Sequence, residues 1–281
     1  MDAGLTWSAA MTATHQAPDG FSATSRAEDH FTTSLDIGDH VARVVLRQCR
    51  EAARRNGISD PWIVDVGAGA GTLLRQLIGL GFNPERLIGV DVRSRPPDLD
   101  VAWVQGVAPD CVPQARGLLI AHEFLDDVPI DVVCDGRLMT VDGRVGPPAG
   151  AGDLAWLDRW AGSDSGTVGR RRDEVWRRLV DRVQAGRAIA VDFPASGPVG
   201  HRAGRRVQPV PDGTTDICAG VELRSCRQAT GGRIVTQHRM LAGLPATDVQ
   251  QRAELAVLRD RGGLGAFEWL IVDVPSVGSR S

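Results

Sequence analysis

Residues 62–72 read WIVDVGAGAGT, and this stretch is the strongest indication of the fold in the sequence. Its first five residues form a largely apolar run that stops at Gly67, which is typical of a buried parallel strand. Glycines then alternate with alanines up to Gly71, and a helix is predicted to begin at about Thr72. Glycine suits such a turn, because the chain bends sharply and a ligand can approach the backbone without meeting a Cβ.

Segments on both sides extend this unit into a sheet. Further strands are predicted at residues 87–92, 101–104, 117–121, 187–193, 233–237 and 267–274, with helical segments among them. Strands that alternate with helices indicate βαβ units and therefore a mostly parallel sheet with helices on both faces. The predicted fold class is α/β, Rossmann-like. Residues 194–216 are rich in glycine and proline and are predicted to be one long loop.

The length of 281 residues allows one large α/β domain or two small ones. We divide the chain into an N-terminal helical segment, residues 1–58, and a Rossmann-like domain, residues 59–281. The irregular pattern at about residues 130–185 is interpreted as an insertion into that domain.

The composition is ordinary for a soluble globular protein, with 42% hydrophobic and 24% charged residues. The formal net charge of -3 gives no global attraction to nucleic acid. Arginines at 170–172 and 177–178 alternate with acids, which favours a solvated helix face over a nucleic-acid site. No apolar run is long enough for a membrane helix, and no secretory signal is evident, so we expect a cytoplasmic protein without a membrane partner. The sequence leaves the oligomeric state open.

The cysteines and histidines show no metal-binding spacing. Five cysteines are scattered without a C-x-x-C pair, and the six histidines form no H-x-x-x-H motif. We therefore expect reduced thiols and no metal. All 32 basic residues are arginine, so no lysine is available to form a Schiff base.

Two carboxylates near the glycines point to the cofactor. Asp91 ends the second predicted strand, where an acid can accept hydrogen bonds from both hydroxyls of a ribose. Asp65 precedes the glycines at a place where dinucleotide-binding loops usually carry an apolar residue, because a carboxylate repels a pyrophosphate. S-adenosylmethionine has no phosphate and carries a cationic amino group and a sulfonium. It is the first choice of cofactor, NAD or FAD is the second, and a purely structural turn is the alternative to both.

The residues expected to contact this cofactor follow from that placement. They are Asp65, Gly67, Ala68, Gly69, Gly71, Asp91 and Val92.

Several separate stretches resemble the MidA-like methyltransferases, relatives of a mitochondrial complex I assembly factor that methylates a protein arginine. The matching stretches are Asp19 to Phe21, His30 to Ser34, Val64 to Thr72, Ala121 to Pro129, Val191 to Phe193 and Gly213 to Ile217. The resemblance implies a class I methyltransferase fold, with a seven-stranded sheet whose last strand is antiparallel. It also implies that the segment with Phe31, Thr33 and Ser34 covers the cofactor.

The sequence departs from the family pattern at three places. Phe193-Pro194 stands where the family usually has Tyr-Gly, and Gln105 stands where an acid often meets the adenine. The segment near residues 15–17 lacks another usual Tyr-Gly pair. These departures concern the acceptor and the activity rather than the fold.

The candidate catalytic residues are His122, Glu123 and Asp126. His122 and Glu123 directly follow the fourth predicted strand, and ligands of open α/β sheets sit outside the carboxyl ends of the strands. The resemblance implies an arginine acceptor, whose guanidinium is protonated at physiological pH. Glu123 with Asp126, or with Asp127, can hold that group bidentately and draw its charge toward two nitrogens.

Alternatives remain for these residues and for the acceptor. Asp126 and Asp127 precede Val128-Pro129 and can simply turn the chain, and His122 can be a hydrogen-bonded structural residue. Besides N-methylation of a protein arginine, the sequence allows methylation of a small metabolite. It also allows an assembly factor that binds cofactor and partner with little turnover.

Overall fold

The computed structural model describes residues 4–17, 19–25, 32–210 and 212–276. In chain order the strands are β1 (Trp62–Val66), β2 (Leu87–Asp91), β3 (Ala102–Gln105), β4 (Ala115–His122), β5 (Asp131–Cys134), β6 (Arg137–Met139), β7 (Val145–Pro148), β8 (Gly166–Val168), β9 (Val183–Asp192), β10 (Pro198–Arg202), β11 (Arg205–Val207), β12 (Asp216–Ala219), β13 (Arg233–Thr236) and β14 (Glu268–Val274). The α-helices are α1 (Trp7–Gln16), α2 (Phe21–Thr24), α3 (His40–Arg55), α4 (Thr72–Gly79), α5 (Ala151–Ala161), α6 (Arg170–Val180), α7 (Leu223–Thr230), α8 (Gln237–Leu241) and α9 (Val249–Leu258).

A seven-stranded sheet organises the molecule, in the spatial order β13-β14-β9-β4-β1-β2-β3. The neighbours from β9 to β3 pair in parallel, whereas β14 is antiparallel to both β9 and β13. The predicted fold class and the antiparallel last strand are therefore confirmed. Successive strands run outward from β1 to β3, and the chain then returns to the other side of β1 at β4. Ligands of open α/β sheets bind at the carboxyl ends of the strands beside such a reversal.

Side chains alternate between the two faces along each strand, and both faces of the sheet are buried. In β1, Ile63 belongs to a buried cluster that includes residues of α3 and α4, and its neighbour Val64 belongs to a second cluster that includes residues of α6 and α7. A strand buried on both sides reads as a near-continuous apolar run, which is why β1 and β4 were recognisable in the sequence. The packing on both faces fixes the strand ends, and with them the site.

The prediction of one loop over residues 194–216 is wrong. This region contains β10 and β11, which join β12 in a three-stranded antiparallel sheet. The β10–β11 turn consists of Ala203 and Gly204, with φ of +48° and +73°, as a two-residue hairpin turn of type I′ requires. Alanine is uncommon in this conformation, so the sequence lacked the usual Asn-Gly or Asp-Gly signal.

The predicted insertion contains a four-stranded sheet in the order β7-β6-β5-β8, followed by α6. The N-terminal helix α1 packs on it through Met11, which shares a buried cluster with Ile130 and Ile217 of β12. Helix α3 packs against β4 and β9 of the central sheet. The division at residue 58 stays a prediction. Within the described residues, no helix combines the length and the apolar character needed to cross a membrane.

Candidate functional site

The turn after β1 requires glycines because of its backbone conformation and because of the space around each residue. Gly67, Gly69 and Gly71 have φ of +74°, +53° and +78°, in the left-handed region. A Cβ on Gly67 would lie 2.8 Å from the ring of Phe124, and one on Gly71 would lie 2.5 Å from Leu99. Nothing lies within 4 Å of the corresponding position at Gly69. Gly69 therefore leaves open space at the backbone, which is what a ligand cradle needs.

Asp91 is held in place at the end of β2. Its Oδ2 accepts a hydrogen bond of 2.7 Å from the Gly69 amide, and its Oδ1 accepts one of 2.9 Å from the Arg93 amide. The carboxylate is thus fixed beside the glycine turn. Gln105 of β3 is the register partner of Asp91 of β2. The side-chain amide of Gln105 donates to the Val92 carbonyl at 3.1 Å.

Asp65 lies in the centre of the sheet, between Gly89 of β2 and Ile120 of β4. Its side chain is 3% exposed. Burial, together with the charge of Asp91, raises the pKa of Asp65 to about 7. The position near Asp91 agrees with a role beside a cation, since a positive group there would favour the ionised form.

Glu123 follows β4 in a left-handed conformation, with φ of +50°. Its amide donates to the Val191 carbonyl at 2.7 Å, which fixes the bend. Such a conformation is unfavourable for a residue with a side chain and is found mainly where function requires it. Burial and the charge of Asp126 raise the pKa of Glu123 to about 8. At neutral pH the free protein therefore holds this carboxyl largely protonated.

Ser34 connects the N-terminal segment to the end of β4. Its hydroxyl lies 2.8 Å from Nε2 of His122, and its amide donates to Oε1 of Glu123 at 3.3 Å. Burial lowers the pKa of His122 to about 4, so its ring is neutral. The segment itself is tied down by Gln76, whose amide donates to the carbonyls of Leu35 and Gly38 at 2.7 and 3.0 Å. Ser34 therefore orients Glu123.

A group of buried carboxylates lies beyond Glu123. Asp126 follows β4, Asp192 ends the adjacent strand β9, and Asp216 begins β12, all at most 7% exposed. Oδ1 of Asp126 and Oδ2 of Asp192 are buried without a hydrogen-bond partner. Burial and mutual repulsion raise the pKa of Asp126 to about 6 and that of Asp192 well above its ordinary value.

Arg172 is the buried cation next to these carboxylates. Its guanidinium donates to the carbonyls of Asp126, Val128 and Gly220 at 2.6, 3.2 and 2.8 Å. The interpretation of the whole arginine run as a solvated face is wrong for this residue, which is 1% exposed. It holds for Arg177, which pairs on the surface with Glu174 at 2.8 Å.

One cavity of about 400 Å³ joins these groups. Its size is in the range of small-molecule sites. The predicted residues that line it are Thr33, Gly67, Ala68, Gly69, Asp91, Val92, His122, Glu123 and Asp126. Asp65, Gly71 and Ser34 are not part of the lining, and Phe31 lies outside the described residues. The cavity thus brings together most of the residues that the sequence predicted for cofactor binding and catalysis.

Several residues that line the cavity carry no recognisable signal in the sequence. His15 and Asp216 come from distant parts of the chain, and His15 Nε2 lies 2.8 Å from the carbonyl of Ile217. Asp192, behind them, ends a strand adjacent to β4. Asp192 could have been predicted by the rule that identified Glu123, since ligands bind at the carboxyl ends of the strands.

Comparisons with known proteins agree with this architecture. No protein-family model matches the sequence, and no curated protein matches it. A COG1565 superfamily member from Burkholderia thailandensis, inferred to be a methyltransferase and solved with S-adenosyl-homocysteine bound, superposes with a TM-score of 0.76 at 19% identity. That alignment covers 97% of this chain and 88% of the other. A native COG1565 structure from the same organism gives a TM-score of 0.74 at 20% identity, with the same coverage.

The protein has the COG1565 fold. MidA-like proteins belong to this superfamily, so the resemblance drawn from separate sequence stretches is confirmed at the level of the fold. The superposition extends over nearly the whole chain, including the segments outside the central sheet.

Proposed function

We propose that the protein is a methyltransferase that uses S-adenosylmethionine and methylates a nitrogen of a cationic acceptor, with a protein arginine favoured. The observation that carries this proposal is the single cavity in which the glycine turn and Asp91 face the carboxylates at the end of β4. The bound S-adenosyl-homocysteine of the Burkholderia protein supports the same choice of cofactor.

The residues fit the cofactor. The open space at Gly69 and the fixed carboxylate of Asp91 suit a nucleoside, and the buried Asp65 suits a positive charge rather than a phosphate. When bound, S-adenosylmethionine supplies a methyl group activated on a sulfonium. The protein's task is then to hold an acceptor nitrogen about 3 Å from that methyl carbon, in line with the sulfur.

The carboxylates at the end of β4 would bind the methyl acceptor. A guanidinium that enters among Glu123, Asp126 and Asp127 meets several acidic groups, and the buried Arg172 lies next to them. Its charge favours ionisation of Glu123, which can then orient the reacting nitrogen. A methylated nitrogen must also lose a proton, and carboxylates with raised pKa values can accept it. The neutral His122 positions Glu123 through Ser34.

The test is transfer of a labelled methyl group to three matched peptides. They carry arginine, lysine or the uncharged citrulline at one position. We expect label on the arginine peptide, since only guanidinium offers both charge and a bidentate face. Equal labelling of the citrulline peptide would contradict a cationic acceptor.

A lysate split into protein and small-molecule fractions extends the test. Label confined to small molecules would replace the protein acceptor by a metabolite. No label in either fraction, with S-adenosyl-homocysteine still bound, would indicate a cofactor-binding assembly factor.

A further inference from the structure

Three potential metal ligands meet on one face of the β10–β12 sheet. His201 of β10 is paired directly with Asp216 of β12, and Cys218 follows two residues further along β12. Directly paired residues of antiparallel strands, and residues two apart on one strand, point to the same face. The pairing of the two strands therefore brings an imidazole, a carboxylate and a thiol close together.

The spacing of the three side chains fits a tetrahedral ion. Nδ1 of His201 lies 3.7 Å from Sγ of Cys218 and 3.6 Å from Oδ2 of Asp216. All three atoms lie within 4.8 Å of one another. Zinc bound at about 2.3 Å from sulfur and about 2.0 Å from nitrogen or oxygen separates its ligand atoms by roughly 3.3 to 3.6 Å. The two distances from Nδ1 of His201 exceed this range by a few tenths of an ångström at most.

The surroundings of Asp216 favour a cation. Asp216 is 3% exposed, and nitrogens of His201 and His15 lie 3.6 and 3.9 Å from its carboxylate oxygens. Burial of a carboxylate is costly, and a bound cation offsets that cost. The thiol of Cys218 is likewise buried. Mixed nitrogen, oxygen and sulfur donors select zinc or a similar transition metal over magnesium or calcium.

A second group, His15 with Asp127 and Asp216, is less suitable. Nε2 of His15 is engaged by the carbonyl of Ile217 at 2.8 Å, and its Nδ1 contacts the hydroxyl of Ser22 at 2.7 Å. Both ring nitrogens are thus occupied. His201 instead directs Nδ1 toward the other two ligands.

We propose that His201, Asp216 and Cys218 bind one Zn²⁺ ion, with a fourth position left for water or another ligand. The ion ties the β10–β11 hairpin to β12 and neutralises a carboxylate that lines the acceptor end of the cavity. The proposal of a zinc site does not rest on the proposed methyl transfer. It also departs from the expectation of no metal, which was based on spacing along the sequence.

Binding has a defined chemical balance. The S–H bond of Cys218 breaks, a sulfur–zinc bond forms, and the proton passes to the buffer. A cysteine thiol has an ordinary pKa of about 8.5, so the metal-free thiol is largely protonated at pH 7. We therefore expect about one proton released per ion at that pH.

The experiment uses the full chain, stripped with a chelator and titrated with Co²⁺ and then Zn²⁺. We expect one ion per chain, a sulfur-to-cobalt charge-transfer band in the near ultraviolet, and displacement of the cobalt by zinc. Calorimetry in buffers of different ionisation enthalpy counts the released proton.

Variants locate the ion. Cys218→Ser should abolish the charge-transfer band, and His201→Ala should weaken zinc binding by about 100-fold or more. Cys134→Ser removes an exposed thiol and should change neither result. His201 is 29% exposed on its side chain, so its variant should fold even if Cys218→Ser does not, as circular dichroism will report. A stripped protein that binds no stoichiometric ion, or binding that survives both ligand variants, would overturn the proposal.

Discussion

The buried carboxyl of Asp65 makes the stability of the free protein depend on pH. Its pKa is about 7 in the folded state, against an ordinary value of 3.8. The folded state therefore binds this proton more tightly than the unfolded chain does. The free energy of unfolding should fall as pH rises from about 4 to about 7, and this contribution should then level off.

Asp65→Asn should consequently stabilise the free protein at pH 8. The gain should be about 3 to 4 kcal/mol at most, shrink as pH falls through 7, and vanish near pH 4. Urea unfolding at several pH values measures it. Asp158→Asn, on the exposed face of α5, is the matched control and should change stability at no pH. A gain independent of pH would show that charge at position 65 is not responsible.

Glu123 should control the pH dependence of methyl transfer. Because its pKa is raised to about 8, kcat/KM should rise about tenfold per pH unit up to pH 8 and then level. Glu123→Gln should lower kcat by at least about 100-fold and remove this limb, while S-adenosyl-homocysteine still binds by calorimetry. Retained turnover in the variant would exclude Glu123 from the mechanism.

In the glycine turn between β1 and α4, the effect of backbone strain can be distinguished from the effect of blocking the ligand. Gly69 and Gly57 both have positive φ, of +53° and +62°, and neither has a neighbour within 4 Å of an added Cβ. Only Gly69 lines the cavity. Alanine at either position should cost about 1 kcal/mol of stability.

Gly69→Ala should in addition weaken S-adenosyl-homocysteine binding by at least about tenfold, because its Cβ occupies ligand space. Calorimetric titration of both variants gives the comparison. Equal affinities would mean that the open space at Gly69 is not used by the ligand.

Helix α6 presents one arginine to the core and others to water, and the two kinds should differ in their effect on stability. Arg172→Met leaves carbonyls of three residues without their donor and removes the buried cation from the carboxylates. We expect a loss of about 3 to 5 kcal/mol in urea unfolding. Arg177→Met, which breaks exposed ion pairs, should cost less than about 1 kcal/mol. Similar losses would contradict the structural role of Arg172.

The same helix illustrates what the sequence could predict for single elements. Strands such as β1 and β14 were predicted because apolar runs bounded by glycine have few other interpretations. Charge alternation in α6 predicted a solvated face, which Arg177 and its acidic partners form. It could not reveal that Arg172 lies on the stripe with Val175 and Leu179, since that depends on which partners the buried face meets. The β10–β11 hairpin was missed because Ala203 takes a conformation that few alanines adopt.

For the molecule as a whole, the site lies where the strand order reverses, between β1 and β4. The sequence predicted this half of the cavity because neighbouring strands are linked by short connections. The opposite wall is built from contacts between remote segments, such as His15 with the Ile217 carbonyl and Ser34 with His122. No local pattern encodes such pairs. The metal ligands were missed for the same reason, since His201 and Asp216 meet only through strand pairing.

Because the cavity wall unites segments between residue 15 and residue 216, cofactor binding should stabilise a large part of the fold. A ligand present at 100 times its Kd, and bound only by the folded state, adds about 2.7 kcal/mol. For a protein of this size that corresponds to a rise in Tm of roughly 5 °C. In a thermal scan at pH 8, where Asp65 is largely ionised, S-adenosyl-homocysteine should produce this shift and NAD should not, since Asp65 would repel a pyrophosphate. Asp91→Asn should abolish most of the shift, whereas Asp158→Asn should retain it. Protection by NAD without protection by S-adenosyl-homocysteine would refute the choice of cofactor.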